Sequence, residues 1–523
     1  MRWKRVARIL ASAVVLALGR PHGAGGSPFE YLPVGDPLEA ELRTLDVLGP
    51  AWPGRPLRLP RSGMRPLQRF ELDSLPRPDQ APGLAHRISL VRLRRVLARE
   101  SDPGTPDLPT DLSPRIYQRH YPDGARFELS VASEGAGEIA SRRVRYRSGT
   151  GLHGRIALET DRWLAFSHLI VGHQDTARTY ASPIFPDTDI IMYTGETYLA
   201  YSGVGGRWGM QFGRSRWHWG PGEEGSLLLS KTAVPITALA IHARLEPLHA
   251  DGTAISATLA SGSGEQLAAH RLEWQPRDGL RLGLSEAARY RSDAWQPLYL
   301  LGVIPYILVE RLQFQDEPDA RAANRNNIIV GADVAWRVAP GTRLYAEVLA
   351  DDLHLINSIV YPNKYAYQLG WEGAGTFRAT RVVWGGEYTR VTRFVYTSFF
   401  DRDFVAQGRP LGFPVAPDAR RMRVRATWDL SPAWQLTSVA TRTEKGENTL
   451  AEPFQPGSPR VDASRLQGVV EETRELEAGV RWWPVGGVDV AAVAAYRWVD
   501  NAGHVAGARE RGPRGTFAFR LVR

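Results

Sequence analysis

Cysteine is missing altogether from these 523 residues, so neither disulfide stabilisation nor thiol chemistry is available. Beyond the N-terminus there is also no uninterrupted apolar run of the ~20 residues that a membrane helix needs. Hydrolase motifs are absent: Gly283-Leu284-Ser285-Glu286-Ala287 fails the Gly-x-Ser-x-Gly elbow at its last position, and no His-Glu-x-x-His occurs. His218 and His242 have no His, Asp or Glu partner at a recognised metal-ligand spacing. The expectation is therefore a protein without catalysis, metal or cofactor. The formal charge is +9, but Arg2, Lys4, Arg5 and Arg8 contribute four of those positives. No basic stripe with a docking motif remains to suggest nucleic acid.

What is present begins with that basic N-terminus. The apolar stretch 9–18 follows it, as in a secretory signal peptide, with the leader expected to span residues 1–26. A small helical, Pro-rich region is expected over 27–115. In it Leu38, Leu42, Leu45 and Leu48 stand at helical spacing, with Asp36 as N-cap and Gly49 as stop. A second helix is expected over 85–100, with Ile88, Val91 and Leu97 on one face and Arg92, Arg94, Arg95 and Arg99 around it.

From about residue 127 onward the period is two, and no further helix is read. Ile328, Val330, Ala332, Val334 and Trp336 alternate with Asp333 and Arg337, and after the Ala339-Pro340-Gly341 turn Leu344, Ala346 and Val348 run back. Met422, Val424, Ala426 and Trp428 oppose Arg421, Arg423 and Arg425; Phe517, Phe519 and Leu521 alternate in the same way. Trp336, Trp371, Trp428, Trp434, Trp482, Trp483 and Trp498 gather at strand ends, where barrels place interfacial girdles. Longer polar connections such as 316–325 and 401–419 punctuate the strands. This is the pattern of an antiparallel transmembrane β-barrel over 116–523. At ~20–25 residues per strand and connection, it has roughly sixteen to eighteen strands.

The stretch 207–235 departs from the pattern. Trp208, Met210 and Phe212 alternate as a strand, which then breaks into an aromatic, basic, Gly/Pro-rich knot, Arg214-Ser215-Arg216-Trp217-His218-Trp219-Gly220-Pro221-Gly222. Aromatic faces suit sugar C–H surfaces, and guanidinium or carboxylate groups suit hydroxyls and acidic sugars. Arg214, Arg216, Trp217, His218, Trp219 and Glu223 are thus candidate polysaccharide contacts. The same residues also suit architecture, as girdle tryptophans and lumen-wall charges around a rigid turn. Asp351-Asp352 with Glu347 could form a Ca²⁺ or proton-handling cluster, or simply the solvated end of a strand. Arg421, Arg423 and Arg425, spaced two apart, are candidate lumen-lining residues. They support a rival reading, a porin-like channel for small anionic solutes or saccharides.

The knot, followed by Ser226-Leu227-Leu228-Leu229-Ser230, Ala233 and Pro235, resembles the signature of the Wzi capsule-assembly family of outer-membrane proteins. In the same order, the 327–336 strand resembles that family's Asn-x-x-x-Gly-x-Asp strand, 344–352 its Leu-Tyr strand ending in an acidic pair, and 411–418 its Leu-Gly loop ending in Pro-Asp. Lys231-Thr232, Val234 and Ala416 depart from the family's Asn-Asn, Arg and Gly. The resemblance implies a barrel of about eighteen strands with N-terminal helices on the periplasmic side. It also implies a lectin-like, non-catalytic role in holding exported polysaccharide at the cell surface. A monomer surrounded by outer-membrane lipid is expected.

Overall fold

The alternation is realised as a closed antiparallel barrel in the computed structural model. The structure describes residues 29–30, 37–49, 67–68, 78–97, 115–121, 125–140, 143–146, 150–160, 162–173, 188–203, 207–260, 263–302, 304–313, 326–352, 362–459, 461–484 and 488–521. The expected leader and the polar connection 316–325 lie outside them.

Eighteen long strands form the ring. They are β1 Arg126–Ala140, β2 Gly151–Glu159, β3 Trp163–His173, β4 Ile190–Ser202, β5 Trp208–Ser215, β6 Ile236–Leu245, β7 Ala250–Ala260, β8 Glu265–Arg277 and β9 Leu280–Arg291. The ring continues with β10 Asn327–Ala339, β11 Thr342–Asp352, β12 Lys364–Phe377, β13 Thr380–Val391, β14 Ala419–Ser431, β15 Trp434–Lys445, β16 Glu471–Trp482, β17 Val488–Asp500 and β18 Arg509–Leu521. Each pairs with its neighbour in sequence, and β18 closes the ring on β1 through Leu521↔Ser133 to Arg514↔Ala140. Two shorter segments, Arg115–His120 and Arg143–Tyr146, share the edges of β1 with β18 and β2. An even strand number joined by hairpins is the rule for single-chain bacterial barrels, because closure leaves no unpaired edge in lipid.

One end of the barrel is joined by tight turns, such as 340–341, 378–379 and 432–433. The other carries the long connections 216–235, 292–326, 392–418 and 446–470. Outward positions are apolar and exposed: Phe212, Leu284, Val348, Leu369, Met422, Leu476 and Phe517. Trp336, Trp371, Trp428, Trp434 and Trp482 are exposed on this outer face toward the tight-turn end, as an interfacial girdle requires. Trp483 instead receives the Arg92 guanidinium, 4.1 Å from its ring.

The N-terminal helices sit in the tight-turn mouth. In α1, Pro37–Leu48, Val47 and Leu48 pack with Ala85 of α2, Leu84–Leu97, and with Ala374 and Val383 of the wall. Gly49 ends α1 at φ +97°, and its N–H bonds the Leu45 carbonyl. The polar side of α1 is bound by charge. Glu41 accepts from Ser89 (2.8 Å), Arg92 (2.7 Å) and Arg381 (2.6 and 3.0 Å), while Asp429 accepts from Arg92 and Arg381 at 2.6 Å each. Burial alone would raise the Glu41 pKa, yet the two guanidiniums hold it well below the usual carboxylate range. Further along, Asp46 bonds Arg281 (3.0 Å) and Arg343 (2.7 Å), and Arg43 pairs with Glu372.

Two expectations are corrected here. The apolar face of α2 is Ala85, Ile88, Leu90 and Leu93, with Val91 only half-buried and Arg92 buried. The helix is wedged between α1 and the wall, so it buries more than one face. Helices also recur after residue 127: α3, Pro297–Leu301, and α4, Tyr306–Gln313. They pack through Tyr299, Tyr306 and Val309 on Ala268, Ala288 and Tyr290 of the outer wall. Glu286 receives the Tyr306 N–H at 2.8 Å at the start of α4. Elements of five and eight residues are too short to show helical periodicity.

Candidate functional site: a knot folded into the lumen

The connection 216–235 does not stand out from the barrel. It folds inward, and the inner wall is shaped to receive it. Gly220 sits at φ +137°, and a Cβ there would come within 2.8 Å of the Ser226 hydroxyl. At Gly222 a Cβ would lie 2.0 Å from the Gly225 carbonyl oxygen. The turn closes only without side chains at these two places.

Wall side chains hold its backbone. Glu347 on β11 accepts from the Leu227 N–H (2.8 Å) and the Ser226 hydroxyl (2.7 Å). Gln368 on β12 donates to the Gly225 carbonyl (3.2 Å). Glu387 on β13 accepts from the Glu223 N–H (2.8 Å) and the Tyr345 hydroxyl (2.7 Å). From below, Arg43 of α1 donates to the Pro221 carbonyl at 2.6 Å, so knot and helix meet inside the barrel.

Aromatic and aliphatic side chains complete the seal. Trp217, Trp219, Leu227, Leu228 and Leu229 pack against inward Ala238, Ala240, Ala257, Ala269 and Ala287, and against Val395, Tyr396, Phe404, Leu411 and Phe413 of the 392–418 connection. The Tyr396 hydroxyl donates to the Leu227 carbonyl, and the Ser230 N–H bonds the Leu411 carbonyl at 2.8 Å. The two connections are thus stitched into one apolar core in the long-loop half of the lumen.

The six candidate polysaccharide contacts do not converge. Trp217, His218 and Trp219 are 4%, 4% and 1% exposed, so as packed they offer no face to a sugar. Arg214 falls in the outward register with Trp208, Met210 and Phe212, Arg216 is exposed, and Glu223 is half-buried. His218 has its Nε2 on the Gly222 carbonyl (2.9 Å), while its Nδ1 accepts from the Lys231 N–H (3.4 Å). Burial first and the nearby Lys231 second lower its pKa to about 4, leaving a neutral ring. Burial alone would raise Glu223, but Arg425, Arg423 and Arg43 hold it at about 2.

Arg421, Arg423 and Arg425 project inward and are met by the knot. Arg421 bonds Glu224 (2.7 Å), while Arg425 (2.5 Å) and Arg423 (3.6 Å) face Glu223. Their charge is matched by carboxylates rather than presented to a conduit. Asp351 accepts the Tyr396 N–H at 2.6 Å and lies 3.7 Å from Lys364, a clamp on the 392–418 connection. No group of three or more metal-ligating side chains occurs among the described residues. Sequence reasoning missed Gln368, Glu387, Tyr345 and Arg43. The only local signal of the first three is a polar side chain on the inward register of a strand, and that of Arg43 a basic residue on the polar side of α1.

A family model described as capsule assembly protein Wzi matches residues 118–511. No curated protein matches the chain in sequence. Among solved structures, the chain is similar to Wzi of Escherichia coli, described as an outer-membrane protein involved in group 1 capsule assembly and a carbohydrate-binding β-barrel. That likeness has TM-score 0.62 and 13% identity, covering 95% of this chain and 100% of that one. OccD3 of Pseudomonas aeruginosa matches with TM-score 0.42 and 10% identity, covering 78% and 94% of the two chains. The outer-membrane channel DcaP of Acinetobacter baumannii matches with TM-score 0.38 and 12% identity, covering 78% and 99%.

Proposed function

We infer from the premise that this chain belongs to the Wzi capsule-assembly family that it is an outer-membrane barrel acting in capsule or exopolysaccharide assembly, binding exported polysaccharide at the cell surface in a lectin-like way. The observation that carries this reading beyond family membership is the filled lumen. A barrel whose interior is occupied by α1, the 216–235 knot and the 392–418 connection suits a surface-binding protein better than a conduit.

In this reading the protein is not an enzyme, works as a monomer in outer-membrane lipid, and has its N-terminal helices on the periplasmic side. The tight turns at the helical end support that orientation, because short turns mark the periplasmic side of such barrels. The knot serves the glycan surface from within. Trp217, His218 and Trp219 fix the floor on which the long connections rest, and Arg216 is the candidate that can reach a polymer directly.

Deletion of the gene, followed by staining for surface polysaccharide, tests the role. Loss of cell-associated polymer, restored by the intact gene, is expected; undiminished polymer on the mutant would defeat it. Planar-bilayer recording addresses the channel rival. The reading expects no large stable conductance from the intact protein, and such a conductance would favour the porin-like alternative.

A further inference from the structure

The outer face of β14–β18 carries, at the long-loop end, charges that the sealed lumen does not use. Strand register arranges them in rows. The uppermost pairs Arg420↔Glu444↔Glu472↔Asp500↔Arg509, and the next pairs Met422↔Arg442↔Arg474↔Trp498↔Arg511. The row below is Val424↔Ala440↔Leu476↔Tyr496↔Pro513. Leu476 and Tyr496 are 55% and 40% exposed, so this third row belongs to the lipid-facing belt. The arginines therefore begin where the apolar belt ends.

Their charge is incompletely answered from within. Arg442 lies 2.8 Å from both Glu444 and Glu472, Arg474 lies 2.6 Å from Glu472, and Arg420 and Arg509 reach Glu444 and Asp500 at 3.5 Å. Four guanidiniums share three carboxylates, and the fifth, on the exposed Arg511, has no ion-pair partner among the described residues. Arg442 and Arg474 also stand directly opposite one another, a like-charge pair that a sheet disfavours, and the single Glu472 carboxylate between them is shared by both. Guanidiniums are suited to bidentate capture of phosphate. The Arg474 and Arg442 side chains remain 55% and 54% exposed for that purpose.

We propose that the outward row Arg442, Arg474 and Arg511, flanked by Arg420, Arg509 and Trp498, is a binding site for the phosphate groups of a phosphorylated glycolipid in the outer leaflet. Neighbouring strands lie ~4.8 Å apart, so the row spans roughly 15 Å from β15 to β18. That width fits one multiply phosphorylated headgroup. Its acyl chains would lie on Leu476, Tyr496 and Phe517 below. The ligand is held from the side of the barrel, apart from the surface that meets exported polymer.

The test is native mass spectrometry of the full protein, from membranes containing phosphorylated lipopolysaccharide, beside R442Q/R474Q/R511Q and the charge-preserving R442K/R474K/R511K. Heat-modifiable gel migration reports folding. The wild type is expected to retain the glycolipid, the glutamine variant at least tenfold less, and the lysine variant, which keeps the charge but not the bidentate fork, an intermediate amount. Enzymatically dephosphorylated glycolipid should bind the wild type as weakly as the glutamine variant binds the phosphorylated form. Equal retention by the glutamine variant, or indifference to the phosphates, would overturn the proposal. So would displacement by millimolar inorganic phosphate alone, or loss of soluble polysaccharide binding in place of lipid. If the glutamine variant does not fold, the dephosphorylation arm decides. Cell-surface polysaccharide should persist in the glutamine variant, which separates this site from the role in polymer retention.

Discussion

Replacing Glu41 with alanine should loosen the helical plug without opening the barrel. Glu41 lies between Arg92 of α2 and Arg381 of the wall, and its partners share Asp429. All four groups are less than a tenth exposed. The substitution leaves two buried guanidiniums facing one carboxylate. Removing one partner from such a cluster costs about 3–5 kcal/mol, because a charge stays buried without its counter-ion. If the cost falls on the docked state, undocking of α1 becomes roughly a hundred- to a few-thousand-fold more frequent. Hydrogen exchange read on the peptide covering 37–49 measures this directly, and those amides should exchange faster by about that factor. Strand amides, which open only with the barrel, should not change. Bilayer conductance should stay closed, because the knot seals the lumen independently on Glu347, Gln368 and Glu387. Unchanged exchange at α1 would refute the ion-pair cluster as the plug's anchor. Conductance from E41A alone would refute the knot as a second seal.

Other outcomes follow from the knot. Trp219→Ala empties a site that is 1% exposed and should cost about 3–5 kcal/mol of local stability; combined with Glu41→Ala it should produce conductance that neither change gives alone. Gly222→Ala sets a Cβ against the Gly225 carbonyl and should cost about 1–3 kcal/mol, seen as protease cleavage within 216–235. Acid should release the knot. His218 titrates at about 4 when folded, against 6.5 ordinarily, so its contribution is complete above pH 6.5. It is lost as pH falls toward 4, by about 3 kcal/mol in total. Glu223, at about 2, adds a loss of the same sign below pH 4.5. Protease sensitivity of 216–235 should therefore rise between pH 7 and pH 4, and His218→Gln should flatten the upper part of that profile.

The barrel wall was legible because lipid and lumen impose opposite chemistry on successive residues, as at Met422 to Trp428 against Arg421 to Arg425. The apolar spacing of α1 was legible for the same kind of reason. The α3–α4 pair was not, because Pro297 and Pro305 bound pieces too short to repeat. Nor was the burial of Trp217 and Trp219, since tryptophan beside arginine, glycine and proline is equally the composition of an exposed sugar platform and of an internal plug. The decision lies with Glu347, Gln368 and Glu387, more than a hundred residues away in sequence. Local pattern carries no information about which wall a loop will meet.

The alanines at 238, 240, 257, 269 and 287 form a mould of the knot pressed into four neighbouring strands, β6 to β9. Such a mould constrains how the chain can diverge. A larger residue at any of these five positions would intrude on Trp217, Trp219 or Leu227–Leu229 and would persist only with a compensating smaller residue in the knot. Wall and knot are therefore expected to change together among descendants of this protein, as matched pairs of gained and lost methyl groups. The outward positions of the same strands that meet lipid can drift among apolar residues, except where Ala268, Glu286, Ala288 and Tyr290 hold α3 and α4.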